Sequence, residues 1–224
     1  SDLFDGRAYY AGRTAYDGKR RVLFGWVPTK DQENDKNNYL WGGTFVPHEI
    51  YQKEDFSLGV KPIDEVWNTF INLHDIVDVV IETVDTREEV TLVKNSGTLF
   101  NLETTISFDE NLSDFSLRLF KNLETDESYE YRFNLDEGRL TFDKNPCYPW
   151  FQYMDKGLIR PISLKPNHSY KIKLIVDDNI MTLYIDGIAL NARVHDHFGD
   201  AITITATNGS MTAINTKFSN EIKK

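Results

Sequence analysis

The sequence predicts an all-β protein whose main body is an antiparallel β-sandwich. Short runs rich in Val, Ile, Phe, Tyr and Thr recur along the chain, separated by Gly, Asn, Asp and Pro. Several runs alternate. Tyr129, Tyr131 and Phe133 share one face, as do Ile172, Leu174 and Val176, and Met181, Leu183 and Ile185. A single segment shows helical spacing, and roughly ten strands with so little helix fit a sandwich rather than a layered α/β protein.

The elements follow in order. Residues 20–27 read as a strand entered through the Asp17-Gly18 turn. Residues 44–52 read as the next, with Pro47 arguing for an edge or a bulge. The polar stretch 30–38 between them reads as a long exposed loop. In 61–73, Ile63, Val66, Trp67, Phe70 and Ile71 form one apolar helical stripe. Asp64 and Glu65 near its start suit the helix dipole, so a short helical linker is expected here as a domain joint. Strands return beyond Glu82, at 90–93, 99–108, 115–120, 129–134, 139–142, 170–176, 181–185, 189–195, 201–207 and 211–218. Glu137-Gly138, Asp177-Asp178-Asn179, Asp186-Gly187 and Asn208-Gly209 carry hairpin chemistry.

The chain has 224 residues, 40% hydrophobic and 27% charged, enough for one or two domains. No apolar run approaches the roughly 20 residues of a membrane helix, so no membrane partner is expected. A formal net charge of −10 repels phosphate backbones and argues against nucleic acid. It leaves open a neutral partner such as a carbohydrate. The start, Ser1-Asp2-Leu3-Phe4, shows no basic-then-apolar secretory pattern, and localisation stays open. The lone Cys147 permits no intrachain disulfide and reads as structural, because no His partner lies near it in sequence.

Some constellations carry possible chemistry. The insertion 146–157 packs Tyr148, Trp150, Phe151 and Tyr153 together. Tyr148, Trp150 and Tyr153 form either a platform for stacking on sugar rings or a cover over an open sandwich end. His195-x-His197 has metal-like spacing but no third ligand, and reads as a solvated hairpin end; no metal is expected. There is no Gly-x-Ser-x-Gly elbow and no phosphate-cradling glycine loop, and no cofactor is expected.

The first fifty residues are the most specific. They hold Tyr10-Ala11-Gly12-Arg13-Thr14, Gly25-Trp26, Trp41-Gly42-Gly43 and Pro47-His48-Glu49. This series resembles the last propeller blade of glycoside hydrolase family 32, the β-fructosidases, with His48 where the family usually has Arg and Ala8 where it often has an acid. The run from Arg160 through the Asp186-Gly187 hairpin is similar, more loosely, to the family's sandwich.

The resemblance implies that residues 1–60 are strands of a truncated five-bladed propeller, 61–73 a linker and 74–224 the C-terminal sandwich. It implies that Tyr10 and Trp41 rim a fructosyl site, whereas Phe24, Trp26 and Phe45 pack. The family's two carboxylates flank the fructosidic bond. They lie in Asn-Asp-Pro-Asn and Glu-Cys motifs, with a stabiliser in Arg-Asp-Pro, and none of these occurs here; Asn34-Asp35-Lys36 lacks the proline. No catalytic residue is therefore expected, and the fragment is expected to be an inactive accessory part of an enzyme acting on sucrose, levan or inulin. Its partners would be the missing N-terminal propeller and, through exposed apolar surface, a second copy. A stand-alone lectin-like sugar-binding sandwich is the alternative.

Overall fold

The computed structural model describes residues 3–6, 9–147 and 158–223, with the side chain of Trp41 excepted. The chain opens with four antiparallel strands in sequential order, β1 (Tyr10–Tyr16), β2 (Arg21–Lys30), β3 (Tyr39–Gln52) and β4 (Leu58–Pro62). Pro47 sits inside β3 opposite Phe24, beyond the end of β4, where its missing N–H is not required by a neighbour.

The expected helix shrinks to one turn, α1 (Asp64–Trp67), because Lys61 and Pro62 complete β4 and Phe70 and Ile71 form the short β5 (Phe70–Ile71). Ring packing of Trp67 against Lys173, 4.3 Å from the centroid, replaces the longer apolar stripe. Then come β6 (His74–Asp75), β7 (Val79–Val93), β8 (Leu99–Phe108), β9 (Asp114–Lys121), β10 (Ser128–Asn134), β11 (Arg139–Asn145), β12 (Ile159–Pro161), β13 (Tyr170–Asp177), β14 (Ile180–Ile185), β15 (Ile188–Arg193), β16 (Ala201–Ser219) and β17 (Glu221–Ile222).

Strands β6 to β16 form one continuous antiparallel sheet folded upon itself, in the order β12-β11-β10-β9-β16-β8-β13-β14-β15 with β6 and β7 also paired to β16, while β17 pairs with β5 in a separate two-stranded sheet. The fold line runs through β16. Its first part, to Thr207, pairs with β9; its second, from Met211, pairs with β8; β7 follows it along both parts. Asn208-Gly209 is therefore no hairpin. Both residues take positive φ, 56° and 71°, and bend one strand from the first layer to the second. Asp186-Gly187 and Asp178-Asn179 do close the two-residue hairpins β14–β15 and β13–β14.

The two layers enclose a single large core. The first contributes Phe115, Leu117, Tyr131 and Phe133, and the second Phe100, Leu102, Leu174 and Leu183. Tyr131 spans it, donating its hydroxyl to the carbonyls of Met181 and Leu190 at 3.0 Å each. A buried phenol thus ties β10 to β14 and β15 without an unpaired polar atom. Facing inward, Met181, Leu183 and Ile185 alternate with Ile180, Thr182 and Tyr184, which look out of the second layer toward the opening four-stranded sheet.

Candidate functional site

Two surfaces of the opening sheet have distinct roles. The first faces the sandwich. Val27 and Val46 pack on Ile180, and Val60 and Ile50 pack with Tyr184 and Ala189. Around this apolar contact runs a polar seam built by alternate residues of β15 and its extension. Asn191 donates its backbone N–H to Asp5 Oδ1 at 2.8 Å and its side-chain amide to Asp5 Oδ2. The buried His48 ring sits between Asp5 Oδ2 and the Tyr184 hydroxyl, 2.9 Å from each. Arg193 donates to the carbonyls of Pro28 and Val27 at 3.0 Å each and to Thr44 Oγ1 at 2.9 Å. His195 donates its backbone N–H to Asp35 at 3.1 Å.

The 30–38 stretch is largely exposed, as expected, but Lys30 and Asp35 depart from that expectation. Asp35 is 1% exposed, accepting from the Tyr129 hydroxyl and from Lys144 Nζ at 3.1 Å, while its own carbonyl takes Lys30 Nζ at 2.6 Å. The reason is that β2 runs to Lys30 and carries the loop onto the sandwich, where Lys144 and Tyr129 await a carboxylate. Burial, with the Asp35 charge beside it, lifts the Tyr129 hydroxyl well above its ordinary range, so it stays a donor. Burial pushes the His195 imidazole below its usual value; Asp35 opposes this, and Arg193 and Lys30 reinforce it.

The second surface looks away from the sandwich. Cross-strand pairing puts Tyr10 beside Trp26, Trp26 beside Phe45 and Phe24 beside Pro47, all on one face. Tyr10 meets the Trp26 ring edge-on at 5.3 Å between centroids. Tyr10, Phe24 and Phe45 are 50%, 41% and 71% exposed, so the packing expected of Phe24 and Phe45 is not made within this chain. The Trp41 backbone lies in the irregular stretch of β3 opposite Pro28 and Thr29, at the end of the sheet that also holds the start of β1.

Tyr148, Trp150 and Tyr153 lie outside the described residues, so their proposed sugar platform has no geometry here. Cys147 is an exposed free thiol pushed up to about 11 by burial and by neighbouring Asp143, which leaves it protonated and unactivated at neutral pH. His195 belongs to the seam, while the His197 ring packs against Phe120 at 4.5 Å; the described residues contain no group of three potential metal ligands. The seam residues Asp5, Asn191 and Arg193 were missed by sequence reasoning. Their signal was the polar alternation Asn191, Arg193, His195 set against the apolar Leu190, Ala192 and Val194.

A bent antiparallel sandwich with a four-stranded sheet on its outer face is an architecture found in carbohydrate-processing enzymes. Fructan 1-exohydrolase IIa from Cichorium intybus matches with a TM-score of 0.75 and 14% identity, over 99% of this chain and 49% of that one. A β-fructofuranosidase from Aspergillus kawachii matches with a TM-score of 0.72 and 13% identity, over 97% and 47%. Sucrose-6-phosphate hydrolase from Lactobacillus gasseri matches at 0.67 and 18%, over 98% and 43%. The chain thus spans about half, or less, of these solved structures. Residues 74–220 match the family model for the C-terminal domain of glycosyl hydrolases family 32, and the chain belongs to that family. No curated protein matches its sequence.

Proposed function

We propose that this chain is the C-terminal region of an enzyme acting on β-fructosides. In this reading residues 1–60 are the last blade of the catalytic propeller, 61–73 the joint, and 74–224 an accessory sandwich that buttresses it. The chain contributes no catalytic carboxylate, as the three motifs that supply them in the family are missing. Tyr10 and Trp41 would line the rim of the fructosyl site once the rest of the propeller is in place.

The observation that carries this reading is the outward face of the opening sheet. Three large aromatics stand exposed on one side of a four-stranded sheet whose other side docks on the sandwich through β2, β3 and β4. Apolar faces of this kind are normally covered. A neighbouring blade would cover it, and the match to only half of the fructan 1-exohydrolase IIa chain supports this reading. In isolation the same face would promote self-association.

The test uses the purified chain and a separately produced propeller portion from a full-length relative. The chain alone is expected to release no fructose from sucrose, inulin or levan. Mixed or co-expressed with the propeller portion, it is expected to form a stable complex that Phe45→Ser weakens. Fructose release by the chain alone, or failure to capture any propeller portion, sinks the reading.

A further inference from the structure

A cavity of about 540 Å³ opens where β16 bends from one layer to the other. Three irregular pieces of backbone meet there. Asn208 and Gly209 carry the bend; Asp85 stands in the bulge of β7 that faces it, at a φ of 56°; and the turn after β8 brings in Asp109. Glu82 lies opposite Ser210 across the β7–β16 pairing. Asp109 is fixed in place, its Oδ1 accepting the backbone N–H of Ser210 at 3.0 Å and that of Asn111 at 3.1 Å. Those bonds, the one from Ser210 first, hold its carboxyl below the usual carboxylate range.

The cavity presents negative charge with no cation to match it. Glu82, Asp85 and Asp109 make no ion pair among the described residues, and Arg87, two residues beyond Asp85, is turned to Glu130, Ser116 and Thr205. Asn208 gives its amide N–H to Ser113 Oγ at 3.1 Å, yet its Oδ1 is buried and has no hydrogen-bond partner among the described residues. Buried acceptors are normally met by a donor. The field of a chain with a formal charge of −10 reinforces the three uncompensated carboxylates, so the missing group is a cation. A bare metal ion does not suit the space, because the described residues hold no group of three carboxylate, imidazole or thiolate ligands within reach of one ion. A larger cation with several N–H donors can bridge carboxylates set wide apart. Val84, 81% exposed on the bulge, gives the aliphatic stem of such a group a wall to lie on.

We propose that this cavity seats a basic side chain, an arginine before a lysine, projecting from a partner protein. Glu82, Asp85 and Asp109 accept its N–H groups, with the Asn208 amide oxygen as a further acceptor. Glu82 and Asp85 are exposed, so the cavity is open and a free small cation gains little there. A side chain carried by a partner is also held by the rest of the interface. The partner is a protein with a positively charged surface, and not a second copy, whose own formal charge is −10. The site shares no residue with the aromatic face of the opening sheet or with the seam.

Amide NMR of the whole chain titrated with a hexa-arginine peptide tests this, alongside an uncharged peptide and calcium chloride. Shifts are expected at residues 82–85, 109–111 and 208–210, and none with the uncharged peptide. The double variant Glu82→Gln, Asp85→Asn should weaken the arginine peptide about tenfold or more. Asn adopts the φ of Asp85 as readily as Asp does, so the fold should hold. The control Glu54→Gln, Glu124→Gln makes the same change in net charge at exposed positions elsewhere and should leave affinity within about twofold. Shifts scattered over the acidic surface, or an equal loss in both double variants, reduce the binding to net charge and overturn the inference. So does a response of these residues to calcium at concentrations where the peptide gives none. If the site variant melts early, the wild-type shift map and the control variant decide alone.

Discussion

Asp35 concentrates the consequences of a single buried carboxylate. It satisfies Lys144 Nζ and the Tyr129 hydroxyl and fixes the His195 backbone. Lys144 keeps Asp196 as a second partner, but without Asp35 the buried Tyr129 hydroxyl and the His195 N–H lose their acceptor. Asp35→Ala is therefore expected to cost about 2–3 kcal/mol, measured by urea unfolding, with Asp35→Asn intermediate. His195 sets a pH dependence. Its folded pKa is depressed below the unfolded value, roughly 6.5, so its contribution is full above that pH and is lost as pH falls toward the folded value. The melting temperature should drop as pH is lowered from 7 to 5, and His195→Asn should flatten that drop. Neither residue was legible in advance. A polar loop reads as solvated, and only the tertiary path of β2 reveals that Asp35 turns inward.

The strands themselves were more legible. Alternation in β10, β13 and β14 names the inward residues, and Asp186-Gly187 turns where its chemistry says it should. The sequence misleads where one strand serves two layers. In β16, Asn208-Gly209 supplies the positive φ of a hairpin, but the flanking runs continue in line because β7 pairs with both. The strand expected at 90–93 runs back to Val79 as β7, an edge strand on β16 whose residues 82–89 are rich in charge. A Cβ on Gly209 would stand 2.4 Å from Asp109 Oδ1 and from the Leu112 backbone nitrogen, at a φ of 71° that disfavours side chains. Gly209→Ala should destabilise by about 1–3 kcal/mol in thermal unfolding.

At the scale of the molecule, the opening sheet has one committed face and one open one. Phe45→Ser should leave the stability of the isolated chain within about 0.5 kcal/mol, since its ring makes little internal contact. It should at the same time reduce sedimentation of any dimer at high protein concentration. Arg193→Met has the opposite profile: association unchanged, unfolding easier by about 2 kcal/mol, because the carbonyls of Val27 and Pro28 lose a charged donor.

The alternating Asn191, Arg193 and His195 have a practical corollary. A line drawn at residue 74, where the family match begins, is a boundary of ancestry and not of mechanical independence. Trimming the chain there would leave a strand's worth of anchoring donors gripping nothing but water, and would bare Tyr184 and Ile180 beside them. The shorter polypeptide should be the less soluble one, even though it looks the tidier domain on paper.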